Sequence, residues 1–213
     1  MPHPDPSRRG ALSQGLVVVL VVVLLLVVLP AGCAVSKYNG IVTHREQVDA
    51  KWGNVQSDYK RRTDLIPQLV EVVKGAKEFE SETLQAVIDA RSKATSVTLD
   101  AGDLDDPARF EAFQSAQAEL STALSRLLVT VERYPELKAV QAFLSFQDQL
   151  EGTENRINTS RKDYIDAVRS YNTSIVRFPG NVIASFAGFE KLPQFTVEES
   201  ETAVPEFKLT GDE

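Results

Sequence analysis

Apolar residues are arranged along this chain in two unlike patterns. From Leu16 to Leu29 fourteen consecutive residues are Leu or Val, and no charged side chain occurs from Gly10 to Ser36. A run with no polar face predicts a segment surrounded by lipid on every side. From Tyr38 to about Phe178 the apolar positions are spaced instead. Ile41, Val48, Trp52, Val55, Tyr59, Ile66, Leu69, Val73 and Ala76 step by threes, fours and sevens. Phe110, Phe113, Leu120, Leu124, Leu127, Val131 and Tyr134 form a second such stripe. Leu150, Ile157, Tyr164, Tyr171 and Phe178 form a third at intervals of seven, with Val168 and Ile175 between. Each stripe predicts a helix that buries one face against its neighbours.

The punctuation between stripes fits helices. Ser81 is placed to cap a helix entering Leu84, Val87 and Ile88, and Thr95 to Asp106 reads as a polar loop. Asp106-Pro107 is an N-cap followed by Pro at the first helical position, and Pro135 starts the last long helix in the same way, running to Phe178. Pro67 lies inside a stripe that continues on both sides, so it predicts a kink, with the carbonyl of Thr63 losing its partner. The expected fold is all-α: an elongated antiparallel bundle of about four helices behind an N-terminal membrane segment. Three segments follow: residues 1–33 as signal or anchor, 34–180 as bundle, and 181–213 as a short helix with Phe186 and Phe189, then an extended or disordered acidic tail from Pro193.

Arg8 and Arg9 precede the apolar run, and Pro30-Ala31-Gly32-Cys33 follows it. Two anchors fit. In one, residues 1–33 are a signal peptide ending at a lipobox-like cysteine, and Cys33 is the site of lipid attachment. In the other, the run extended through Val35 is an uncleaved signal-anchor of spanning length. Pro30 stands where a lipobox usually carries Leu, which keeps the second reading open. Either way the two arginines hold the N-terminus in the cytoplasm and send the bundle to the outer side of the cytoplasmic membrane. Cys33 is the only cysteine, so no disulfide supports the fold. The formal net charge is −7, and cleavage before Cys33, which removes two basic residues and one acidic one, takes it to −8. An acidic body favours neither nucleic acid nor an anionic lipid surface as a partner.

Longer segments carry a family likeness. They are Tyr38-Asn39-Gly40-Ile41-Val42, then Lys60 to Glu71 (KRRTDLIPQLVE), Glu132-Arg133-Tyr134-Pro135-Glu136-Leu137-Lys138, Thr153-Glu154-Asn155-Arg156-Ile157, Tyr171-Asn172 and Phe178-Pro179. In order and spacing, from about Tyr38 to Phe195, the chain resembles the LemA family of bacterial membrane-attached helical proteins. The resemblance implies a helical bundle tethered to the cytoplasmic membrane and facing outward, with no established catalytic activity. Ile165 departs from it, where the family often has Asn.

Candidate chemistry is sparse. His44 is the one histidine beyond the membrane segment, too few for a triad, and with Cys33 spent on lipid the body lacks the usual zinc ligands. No cofactor is expected, and Glu78, Glu80 and Glu82 read as a solvated face. Polar residues within the stripes carry more information. Arg62 falls where a buried side chain belongs, and Glu154 and Arg161 lie on or beside the seam of the last helix. An arginine withdrawn from water needs acceptors, so Arg61 or Arg62 is expected to pair with Glu154 and fix register. In the alternative, Lys60, Arg61 and Arg62 bind an acidic partner or phosphate. Exchanging the charges, Arg62→Glu with Glu154→Arg, is expected to restore stability lost in each single variant. Asn155 and Asn172 are expected to bond between helices, and Trp52 to belong to the core.

The expected function is a non-enzymatic, membrane-tethered interaction or adaptor protein whose partner is another envelope or membrane protein. The seven-residue seam also permits pairing with a second copy. A bundle that binds a small molecule or lipid is the alternative, and a carboxylate-only enzyme has no motif to support it.

Overall fold

The computed structural model describes residues 7–75 and 79–195, with side chains from residue 16 onward. Every regular element among them is helical. Helix α1 (Ser7–Lys74) carries both the apolar run and the first stripe without interruption. It is followed by α2 (Ser81–Ser96), a short 3-10 turn (Ala101–Asp103), α3 (Pro107–Val131), α4 (Pro135–Lys138), α5 (Gln141–Val176) and α6 (Gly180–Ala187). These elements form two compact units. Among the described residues, the core unit holds 48–169 and 192–195, and the anchor unit holds 7–47 with 170–191. Helices α1 and α5 contribute to both.

In the core unit, side-chain pairs give the helix directions. Lys51 meets Asp163 at 2.7 Å and Arg62 meets Glu154 at 3.0 Å, so α1 and α5 are antiparallel. Lys93 bonds Glu119, and Glu80 meets Arg133 at 2.9 Å, so α2 and α3 are antiparallel too. The buried side chains fall into two groups. Trp52 contacts the rings of Phe110, Phe113, Tyr164 and Phe195. The other group is mainly aliphatic and includes Ile66, Leu69, Val87, Leu120, Leu127 and Phe146. All the described stripe positions from Val48 to Leu150 named above are buried except Tyr134, which is partly so. Ala76 and Glu78 lie outside the described residues.

Several local expectations change. Glu80, not Ser81, is the N-cap of α2, and its carboxylate accepts from the Thr83 hydroxyl within the first turn. Asp106 caps α3 as expected, accepting from the amides of Ala108 at 2.9 Å and Arg109 at 3.2 Å. The 95–106 connection is less polar than it reads, because Leu99 and Leu104 are buried. The Leu99 carbonyl takes both the Trp52 indole N–H, at 2.8 Å, and the Gln56 amide, at 2.9 Å.

At Pro67 the helix continues, and the Thr63 carbonyl it leaves without an intrahelical donor receives Arg91 Nε at 3.0 Å from α2. The long helix expected from Pro135 is divided into α4 and α5. Leu137 and Phe143, six residues apart, would point about 120° apart on one helix, and a break lets both be buried. Leu192 and Phe195 are buried as well, so the chain beyond Pro193 starts as part of the core; the rest of the acidic tail lies outside the described residues.

In the anchor unit the buried positions are few: Ile41, Tyr171, Ile175, Gly180 and Ala184 among them. Gly180 has no room for a side chain, because a Cβ there would stand 2.0 Å from the Ser174 carbonyl oxygen. Gly188 ends α6 at φ +74°, the left-handed conformation of a helix C-terminus. The seven-residue series fails at its last member, since α5 stops at Val176 and Phe178 is 83% exposed.

Candidate functional site

Arg62 is 2% exposed and sits where three helices of the core unit meet. From α1 it donates through Nη1 to Glu154 Oε1 on α5 at 3.0 Å. Through Nη2 it donates to the Gln117 carbonyl at 3.0 Å and to Gln117 Oε1 at 2.8 Å, both on α3. The Gln117 amide in turn donates to the Ala94 carbonyl of α2 at 3.3 Å, so the network joins α1, α2, α3 and α5. Its Nε is the one guanidinium nitrogen without a partner in this arrangement. The guanidinium lies over the Tyr59 ring, 5.1 Å from its centroid, one turn earlier on α1.

The two charges of the pair are in different surroundings. Glu154 is 34% exposed, so water reaches one end of the pair and the cost of desolvation falls mainly on Arg62. Two neutral acceptors from Gln117 meet part of that cost. The arrangement is therefore a geometric lock: Arg62 reaches its acceptors only when α1, α3 and α5 hold one register. Burial pushes the Tyr59 phenol above its ordinary 10.0; Arg161 and Arg62 pull it down and Glu154 pushes it up.

The rest of the basic segment lies elsewhere. Arg61 is exposed, and Lys60 bonds Asp64 one turn on at 2.7 Å, so Lys60, Arg61 and Arg62 do not converge on one point. Arg161 lies over the Phe195 ring at 4.6 Å. Asn155 is exposed and bonds to no other helix, whereas Glu80 is tied to Arg133. Trp52 is fully buried. His44 contacts Gln47, at 3.3 Å. Cys33 is exposed on α1, which passes through it unbroken. Among the described residues no three His, Cys, Asp or Glu side chains gather in a metal-binding group.

Gln117 escaped the reading of the sequence. The signal was present: it interrupts the stripe between Phe113 and Leu120 in the same way that Arg62 interrupts the one between Tyr59 and Ile66. A second feature was not legible. Asn54, Ser57 and Asp58 of α1 and Asn155, Arg156, Thr159, Ser160 and Asp163 of α5 line an open groove of about 420 Å³. Its walls offer amides, hydroxyls and charges of both signs, and the Lys51–Asp163 pair flanks it. Such a lining can hydrogen-bond a polar segment of another chain, and it lacks the enclosed apolar walls of a small-molecule pocket.

Comparison with known proteins adds relatives. A family model described as LemA family matches residues 51–209. Magnetosome protein MamQ 2 of Paramagnetospirillum magneticum is 28% identical over 175 residues, covering 75% of this chain and 64% of that protein. Magnetosome protein MamQ of Magnetospirillum gryphiswaldense is 24% identical over 175 residues with the same coverage. Protein LemA of Metamycoplasma hominis is 24% identical over 167 residues, covering 78% of this chain and 72% of that protein. The chain thus spans just under two thirds of the MamQ proteins it matches.

Proposed function

The chain belongs to the LemA family, and from that premise we propose that it acts by binding, without catalysis, as a membrane-tethered adaptor for another envelope or membrane protein. The observation that carries this reading is the open polar groove between α1 and α5. A single continuous helix supplies both the apolar run and one wall of that groove. A partner confined to the same membrane meets the groove at high effective concentration, so modest contacts suffice. Arg8 and Arg9, ahead of the apolar run, support a bundle on the outer side of the cytoplasmic membrane. The tether is the apolar run itself or an acyl group on Cys33. The MamQ relatives are magnetosome proteins by name; the reading here asks only for the membrane and a partner.

Photo-reactive residues at Asn54, Asn155 and Thr159, with one at exposed Ala112 as control, test the adaptor reading in intact cells. One membrane protein captured from the groove positions and not from Ala112 is expected. Equal capture at all four, or none, sinks it. Mass spectrometry of the N-terminal peptide decides the tether: an acylated N-terminus at Cys33 means lipoprotein, and an intact peptide through Cys33 means a spanning anchor.

A further inference from the structure

Helix α6 presents Val182 and Phe186 outward, with Ile183 partly covered, and keeps Gly180 and Ala184 inward. Val182 and Phe186, four residues apart and so on one face, are 45% and 91% exposed, and Phe178 just before the helix is 83% exposed. Gly180 and Ala184 are buried. A helix designed for water does the reverse. The segment is nevertheless firmly seated in the anchor unit. Gly180 packs on the Ser174 backbone, and Tyr171 donates its hydroxyl to the Glu190 carbonyl at 3.0 Å. The Phe189 ring lies 5.7 Å from that of Tyr38.

We propose that residues 178–189 lie in the headgroup layer of the membrane to which α1 is tethered, with Phe178, Val182 and Phe186 inserted among the lipids. The inference rests on the tethered reading above. Tyr38 sets the height. Leu16 to Val35 is about 30 Å of helix, the thickness of a hydrocarbon core, so Tyr38 stands about 5 Å beyond its edge, where aromatic side chains gather. If Cys33 carries the lipid instead, Tyr38 is still within about 8 Å along the helix. Phe189, held against Tyr38, brings α6 to that level.

The charge pattern also selects lipid over a protein occupant. No charged side chain occurs between Arg177 and Glu190; of the exposed charges flanking that stretch Arg177 and Lys191 are basic and Glu190 acidic, and exposed Lys37 adjoins Tyr38, in a chain of net charge −7. Basic residues beside an inserted apolar face suit anionic headgroups. Eight residues are too few for α6 to span, so it lies in the surface plane.

Tryptophan quenching in the full chain, reconstituted in phosphatidylcholine–phosphatidylglycerol vesicles brominated near the top of their acyl chains, tests the proposal. Trp52, fully buried, supplies a constant background. Phe186→Trp should add emission that the brominated lipids reduce about two-fold, like Val35→Trp at the end of the apolar run, while Ala112→Trp is unaffected. Quenching of Val35→Trp without that of Phe186→Trp overturns the proposal and leaves the tether standing. If neither is quenched, the tether fails and the proposal with it. A blue-shifted but unquenched Phe186→Trp also overturns it and means that protein, such as a second copy, covers the face.

Discussion

The core and anchor units put similar residues to opposite uses. In the core unit Trp52 is fully buried, Phe143 is 1% exposed, and even an arginine is held at 2%. In the anchor unit Phe178 and Phe186 are 83% and 91% exposed, and the Leu/Val run is bare along its length. The contrast teaches that an apolar stripe becomes core only where other helices close on it. In the core unit α1, α2, α3 and α5, with Leu137 of α4, close on those stripes. In the anchor unit α6 turns Gly180 and Ala184 inward and leaves Val182 and Phe186 for different surroundings.

If that contrast is right, the largest loss comes from the buried arginine. Arg62→Ala removes three hydrogen bonds and leaves Gln117 short of a donor, at a cost of about 3 kcal/mol by chemical denaturation. A loss below about 1 kcal/mol would mean that the network is idle. Exchanging the charges, Arg62→Glu with Glu154→Arg, should recover little. A carboxylate at 62 would face the Gln117 carbonyl, which a simple two-residue pair would not include.

Next is Gly180→Ala, which drives a methyl group against the Ser174 carbonyl and should cost about 2 kcal/mol. Hydrogen exchange should show the loss around α6 first. Unchanged protection there would mean that α6 is not seated as described.

A smaller effect links Pro67 to Arg91. Arg91→Ala should cost about 1 kcal/mol in the native background and less with Pro67→Ala, which returns an amide donor to the Thr63 carbonyl. Additive costs in the double-mutant cycle would refute that link.

The smallest effect is alkaline. The Tyr59 pKa is raised in the folded chain, so its contribution is fully present below pH 10.0 and is lost as pH rises through the folded value. Tyr59→Phe should flatten part of that fall in stability above pH 10.0. An unchanged alkaline slope would show that the phenol is not held neutral.

Much of this was legible in the residues. Stripe spacing places Trp52, Leu69, Leu120 and Ile157 inside, because a helix repeats its faces every 3.6 residues wherever it lies. Arg62 and Glu154 were visible as polar residues on or beside apolar seams. Gln117 could have been found by the same logic. The groove could not, since Ser57 and Thr159 are ordinary surface residues until two antiparallel helices bring them side by side. Leu99 and Phe195 were misread because their stretches look like loop or tail, and only the surrounding aromatic rings draw them in.

By itself the sequence determined the unbroken apolar run, the all-α class and the inward faces of the helices. These follow from side-chain chemistry and the helical period, which act along the chain. The tertiary structure decided which acceptors Arg62 finds, where the helix after Pro135 breaks, how the carbonyl freed by Pro67 is satisfied, and that Phe178 leaves the repeat for the surface. Each of those depends on groups distant in sequence or on competing demands for burial, which a periodic pattern does not encode.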